Sequence, residues 1–306
     1  MITNILITEF RDSGRISISN FYLRRARRLL PLAFLVIALT WAVAGLASLF
    51  PASLSQIALD NSYGDLRHYS FSAIFCLFYV GNLLGFAHLG YNDLAEALAH
   101  FWTLAVEEQF YFIWPVLLAT MLLKFKHLLS VICVAGILAT PTIHFLFSLS
   151  NKTSWTLPTS YLDLFFFGAL FTIHRKKIAQ IGKSKLLLFA GFLLGSLTVI
   201  MGIHLEDFSS QGYVIFTMAE ILLFLGFLNW KPFGEIRILR KLGDLSYSLY
   251  CIHWPIIILF INLDINSILK KAITILLTFA LAVLSTKYFE SLFWKPRYLE
   301  HRNNSS

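Results

Sequence analysis

Residues 21–50 read FYLRRARRLLPLAFLVIALTWAVAGLASLF. Arg24, Arg25, Arg27 and Arg28 come first, and then 22 residues, Leu29 to Phe50, pass without one ionisable side chain. About 20 apolar residues let a helix cross the hydrocarbon core of a bilayer. A basic cluster just before such a run is the mark of a cytoplasmic flank. The polar stripe of a water-exposed helix is missing, so lipid is the expected solvent.

The remainder of the chain repeats this reading. Of its 306 residues 57% are hydrophobic, 29 are Phe and only 14% are charged, whereas a soluble domain carries about a quarter. Further apolar runs cover 71–88, 100–123, 127–149, 157–174, 185–203, 211–230, 245–262 and 270–293. The expected fold class is all-α, a polytopic transmembrane helix bundle. Residues 1–300 read as a single domain without linker or internal repeat, and 301–306 as a polar tail. The formal charge of +8 sits in short clusters between apolar runs. It is not gathered on one water-facing surface, as nucleic-acid binding requires. Cys76, Cys133 and Cys251 lie in apolar surroundings without metal-ligand spacing, so they read as small core hydrophobes and no metal is expected.

Charge sets the topology. With a cytoplasmic N-terminus and 71–88 not crossing, 21 of the 25 Lys and Arg fall inside. Letting 71–88 cross leaves only 9 inside. The positive-inside rule selects the first arrangement. It gives eight crossings, both termini cytoplasmic, and a re-entrant 71–88 that must pack on protein or line a cavity.

Ionisable groups inside such spans ask for a functional reason. In HFWTLAVEEQFY, residues 100–111, His100, Thr103 and Glu107 share one helical face. An imidazole, a hydroxyl and a carboxylate in line, toward the outer surface, suit positioning a hydroxyl substrate and moving its proton. The competing reading is an interfacial helix end, with Trp and His at headgroup level. Arg25 and Arg28 lie one helical turn apart and are placed to grip a phosphate together; a plain cytoplasmic anchor explains them equally. In LGDLSYSLYCIHWP, residues 242–255, Ser246, Tyr250 and His253 share a face. Asp163 and Glu220 are expected to face the bundle interior, and Glu290, beside Lys287 and Lys295, reads as an interfacial ion pair.

These clusters, in this order, resemble the bacterial membrane acyltransferase-3 family. The matching stretches are Phe21–Pro31, His100–Pro115, Pro158–Leu170 and Leu242–Pro255, with Glu290 and Pro296 as a weaker tail. The resemblance implies transfer of an acyl group, chiefly acetyl, from acyl-CoA to a hydroxyl of an envelope carbohydrate. O-antigen lipopolysaccharide, exopolysaccharide or a lipid-linked sugar are the acceptor classes. It implies a multi-pass protein of the bacterial inner membrane, with membrane lipid around it and acetyl-CoA as donor substrate, not bound cofactor. Residue by residue, Arg25 and Arg28 match the arginines that hold the acyl-CoA phosphates. Trp102, Thr103, Glu107 and Gln109 match the central motif, with Thr103 where Ser is usual. Asp163 matches an acidic position, and Tyr250 and His253 belong to the late Ser-Tyr motif. The catalytic set is thus His100, Thr103, Glu107 and His253, and the substrate-binding set is Arg25, Arg28, Trp102, Gln109, Asp163 and Tyr250.

Two departures accompany the resemblance. Family members carry two further helices ahead of the arginine motif, the first with an Arg and a His about ten residues apart that would supply the base. This chain is expected to start just after them. Tyr161 also stands where an Arg is common. The rival readings are therefore an inactive, truncated homologue that binds glycan or a partner, and a transporter using Asp163 and Glu220. Paired interrupted half-helices, which a transporter would show, are not seen in the sequence.

Overall fold

The structure, a computed structural model, describes residues 2–49, 66–86, 93–149, 157–175, 177–178, 185–202, 210–227, 237–261 and 266–294. Its helices are α1 (Ile2–Ser13), α2 (Ile18–Ser48), α3 (Leu66–Leu77), α4 (Phe101–Lys124), α5 (Leu129–Leu149), α6 (Leu162–Ile173), α7 (Lys185–Gly202), α8 (Ser210–Phe227), α9 (Arg237–Ile261) and α10 (Ser267–Leu284). A π-turn (Ser285–Phe289) and a 3-10 turn (Glu290–Leu292) extend α10. No strand occurs among the described residues, so the all-α reading holds. Five helices are long and apolar enough to cross a membrane: Ile18–Ser48, Glu96–Lys124, Lys126–Ile143, Lys241–Ile261 and Ser267–Leu292. The protein is multi-pass. The apolar stretches Leu162–Ile173, Leu186–Leu197 and Thr217–Gly226 are shorter. Helix α3, within the run expected to be re-entrant, has 12 residues, about 18 Å of rise against a core of about 30 Å. Beyond it the chain bends at Tyr79, whose φ of 54° is left-handed without a glycine.

The chain folds as two compact units. One comprises Ser19–Gln109 and Arg237–Ser306, and the other Met1–Ile18 and Phe110–Ile236, so α4 contributes to both.

In the first unit α2 buries Leu32, Ala33, Val36, Ile37, Thr40, Ala44 and Ala47, a single stripe at helical spacing. That stripe joins one core with Tyr69, Ala73 and Cys76 of α3, Phe101 and Leu104 of α4, and Cys251, Ile252 and Ile256 of α9. Large apolar residues also point outward on α2, with Phe34, Leu39 and Leu46 about as exposed as surface charges would be in a soluble helix. Helix α10 shows the inversion most clearly. Its buried residues are Thr274, Thr278 and Ala282, while Ile268, Ile275 and Leu276 are more than two-thirds exposed. Small and hydroxyl residues inside, large hydrocarbon outside, is the pattern of a helix dissolved in lipid.

The second unit is held by close approaches. A Cβ on Gly136 of α5 would fall 2.1 Å from the Phe166 ring of α6. On α7 a Cβ at Gly191 would meet the Leu223 backbone at 2.8 Å, and on α8 one at Gly226 would meet the Leu188 backbone at 3.0 Å. The two glycines thus bring α7 and α8 together almost backbone to backbone. Phe110 stacks on Phe165 with centroids 4.3 Å apart, and Trp114, fully buried, donates its Nε1–H to Thr3 Oγ1 at 3.0 Å.

Candidate functional site

The site grows out of one stretch of α9, where five polar side chains within eight residues each meet a different partner. Tyr247 donates its hydroxyl to the Leu29 carbonyl of α2 at 2.6 Å. Ser248 donates to Glu290 Oε1 at 2.6 Å. The Tyr250 hydroxyl contacts both the His100 carbonyl and the Thr103 hydroxyl. The His253 Nδ1 lies 2.7 Å from the Tyr250 carbonyl, and Trp254 Nε1–H donates to the Glu96 carbonyl at 2.7 Å. A polar group inside an apolar bundle is costly unless paired; here the pairs fasten α9 to α2, α4 and the end of α10 at once.

His253 has a defined tautomer. A carbonyl oxygen only accepts, so Nδ1 carries a proton, and in the neutral ring the lone pair is on Nε2. The neighbouring imidazole of His100 lies edge to face, with centroids 5.4 Å apart. His100 precedes α4 directly and is 9% exposed, in contact with Phe101 and Tyr250. Neither of its ring nitrogens has a hydrogen-bond partner among the described residues. Ala97, Leu98 and Phe101 around it are at most 1% exposed. This end of α4 is part of the core of its unit. A buried imidazole with neither nitrogen in standard hydrogen-bond geometry departs from the rule that buried polar groups are paired.

The other expected residues divide. Thr103 joins the cluster through Tyr250. Glu107, one turn further along α4, is exposed and makes no hydrogen bond among the described residues. Gln109 donates Nε2–H to the Tyr79 carbonyl and to Asn82 Oδ1, both at 2.8 Å; it pins the bend after α3. Trp102 packs, half-buried, against the core of the unit. Arg25 forms an ion pair with Glu108 through both Nε and a terminal nitrogen. The Arg28 guanidinium sits 4.8 Å from the centre of the Trp294 ring. The two arginines thus reach different partners. Asp163, 2% exposed, belongs to the other compact unit, where its backbone N–H donates to Thr140 Oγ1 at 3.0 Å. Glu220, on α8 of that unit, is half-buried. No cluster of three or more metal-type ligands occurs among the described residues.

Comparison with known proteins supplies the frame for this geometry. A family model described as an acyltransferase domain matches residues 1–287. The chain belongs to the acyltransferase-3 family. Among curated proteins it is 28% identical, over 98% of its own length, to the peptidoglycan O-acetyltransferase OatA of Listeria monocytogenes. It is 27% identical, over 95% of its length, to O-acetyltransferase OatA of Staphylococcus aureus. The acyltransferase-3 chain spans about half the length of these relatives, 50% in each case. No solved structure matches it significantly.

Four contributors to the site escape the sequence reading. Helical spacing selects Ser246 as the companion of Tyr250 and His253, yet Ser246 is exposed and only caps the Gly243 carbonyl at 2.8 Å. Ser248 and Tyr247 are the ones tied into the core. Glu108 takes Arg25. Glu290 is not an interfacial ion pair: it is 5% exposed and accepts from hydroxyls. Lys287 lies instead over the Tyr288 ring, and Lys295 is outside the described residues. The available signal was the count of polar residues: Tyr247, Ser248 and Tyr250 cannot share a face, so the helix must be enclosed on several sides.

Proposed function

We propose that this chain forms the membrane part of an O-acyltransferase that moves an acetyl group from cytoplasmic acyl-CoA to a hydroxyl of an envelope carbohydrate. The Listeria relative, a peptidoglycan O-acetyltransferase, favours a peptidoglycan sugar over lipopolysaccharide or exopolysaccharide. The observation that carries this reading is the short path between the arginine cluster and the buried imidazoles. Arg25 meets Glu108, and Glu108 lies eight positions along the chain from His100, about 12 Å of helical rise. The arginines are assigned to the cytoplasmic face by the positive-inside rule, and the imidazoles lie against the buried core of the same unit. A donor held by its phosphates near Arg28 then needs only its flexible arm to present the thioester. Arg25, engaged by Glu108, holds α2 against α4 beside that entrance.

In the reaction, His253 Nε2 accepts the proton of the acceptor hydroxyl as its oxygen attacks the thioester carbonyl. The carbon–sulfur bond breaks, the oxygen–carbon bond remains, and the same proton passes to the leaving thiolate. The Tyr250 carbonyl keeps His253 in the required tautomer. Thr103 and Tyr250 lie where a hydroxyl or carbonyl oxygen would be held. His100 offers a further ring nitrogen, and Glu107 orients sugar hydroxyls. A multi-pass location in the inner membrane completes the proposal.

The test uses the full chain in proteoliposomes with radiolabelled acetyl-CoA and soluble peptidoglycan fragments. Label should enter the glycan, and His253→Ala should lower the rate by about 100-fold or more. Glycan binding without any transfer would instead favour the inactive, glycan-binding reading.

A further inference from the structure

The buried positions of α10 continue past its end. Thr274, Thr278, Ala282, Thr286 and Glu290 follow at intervals of four, and all are at most 9% exposed. Four residues overrun an α-helical turn by about 40°, and the wider π-turn Ser285–Phe289 works against that drift, delivering Glu290 to the same face. There Glu290 Oε1 accepts from Ser248 Oγ at 2.6 Å, Ser285 Oγ at 2.9 Å and Thr286 Oγ1 at 3.2 Å. Ser248 and Thr286 are fully buried and their hydroxyls are 2.8 Å apart. Three hydroxyls on one carboxylate oxygen is a fixed arrangement.

We infer that Glu290 is a positioning residue for the site: it holds Ser248 and thereby sets the rotation of α9 that points Tyr250 and His253 at Thr103 and His100. Ser248 and Tyr250 are two residues apart, about 200° around the helix, so their contacts lie on opposite sides. Each resists the rotation that would break the other. Side-chain atoms ride about 5–6 Å from the axis, so a rotation of about 20° displaces them by about 2 Å. A shift half that size, about 1 Å, already costs a reaction roughly 100-fold. The Tyr250 contacts alone do not prevent it, because they lie on one side; Ser248 on Glu290 and Tyr247 on Leu29 restrain the others.

The reaction readout rests on the acyltransferase proposal, so the test carries a second readout that does not. Cys251, beside Tyr250 on α9, is fully buried. With Cys76→Ala and Cys133→Ala as background, its modification by N-ethylmaleimide reports α9 alone. The full chain in proteoliposomes is compared with Glu290→Ala, Glu290→Gln and Ser248→Ala. Glu290→Ala should lower kcat by about tenfold or more with acceptor KM within about twofold, and should speed Cys251 labelling several-fold. Glu290→Gln keeps Oε1 as an acceptor and should remain within about threefold of the parent in both readouts. Ser248→Ala, a milder change to packing, should move both readouts in the direction of Glu290→Ala. Unchanged labelling and kcat in Glu290→Ala and Ser248→Ala would overturn the inference. So would a Gln variant as inactive as Ala with Cys251 still protected, since that pattern marks a proton-transfer role. If the parent shows no transfer at all, the enzyme reading fails, while the labelling rates still decide the positioning role.

Discussion

Arg25 of α2 and Glu108 of α4 are joined as a fork: Nε lies 2.8 Å from Oε2 while a terminal nitrogen reaches Oε1. Their side chains are 22% and 14% exposed. A planar guanidinium matches a carboxylate in this way and a lysine does not. Glu108→Gln should therefore cost about 2–3 kcal/mol, because a charged arginine is left in a poorly solvated place. The paired change Arg25→Met with Glu108→Leu should cost less than the sum of the single changes. Thermal unfolding in detergent gives both numbers. Additive losses would mean the pair acts as two independent surface charges.

The Thr103 hydroxyl can be tested almost without disturbing volume. Thr103→Val removes one of the two partners of the Tyr250 hydroxyl and should reduce acetyl transfer about 10- to 100-fold. Thr103→Ser keeps the oxygen and should stay within about threefold. A serine variant as poor as valine would show that the Thr103 methyl, not its hydroxyl, matters.

How far these residues could be read in advance depended on what held them. Long apolar runs flanked by arginine need no tertiary knowledge, so α2 and the lipid-facing character of the chain were legible. The non-crossing of 71–88 rests on charge counting alone, which weighs the loops and not the packing of the segment between them. His100, Thr103, Tyr250 and His253 were singled out by helical spacing, and they lie together because the two short segments that carry them face each other directly. Spacing fails where the partner comes from elsewhere in the chain. Nothing local tells Ser246 from Ser248; only the approach of Glu290, 42 positions away from Ser248, decides it. The fork between Arg25 and Glu108, 83 positions apart, is hidden for the same reason.

The glycines of the other compact unit yield a packing prediction. A Cβ at Gly136 would overlap the Phe166 ring, a side chain that meets Phe110 and Trp114 edge to face. At Gly191 the obstacle is the Leu223 backbone, which cannot swing at all. Gly191→Val should thus destabilise more than Gly136→Ala, whose cost is about 1–3 kcal/mol. Thermal unfolding of the two variants in one detergent gives the order. Equal, small losses would mean that α7 and α8 separate without consequence.

His100 gives a prediction in which stability and activity move in opposite directions. Its ring is buried, and both nitrogens lack a partner among the described residues. Such a group lowers stability by the desolvation it suffers, about 1–3 kcal/mol. Leucine fills a similar volume with no polar atom to satisfy. His100→Leu should therefore unfold at a higher temperature than the parent chain. It should also lose acetyl transfer by about 100-fold or more, because the nitrogen left open for the reacting groups is gone. A site is built at the expense of stability when its polar groups wait for a ligand. A structural histidine would give the reverse: the leucine variant would be less stable, and any activity lost would follow the unfolding. Measuring the unfolding midpoint and the transfer rate on one preparation separates the two cases. A destabilised variant would remove His100 from the site and leave His253 as its one imidazole.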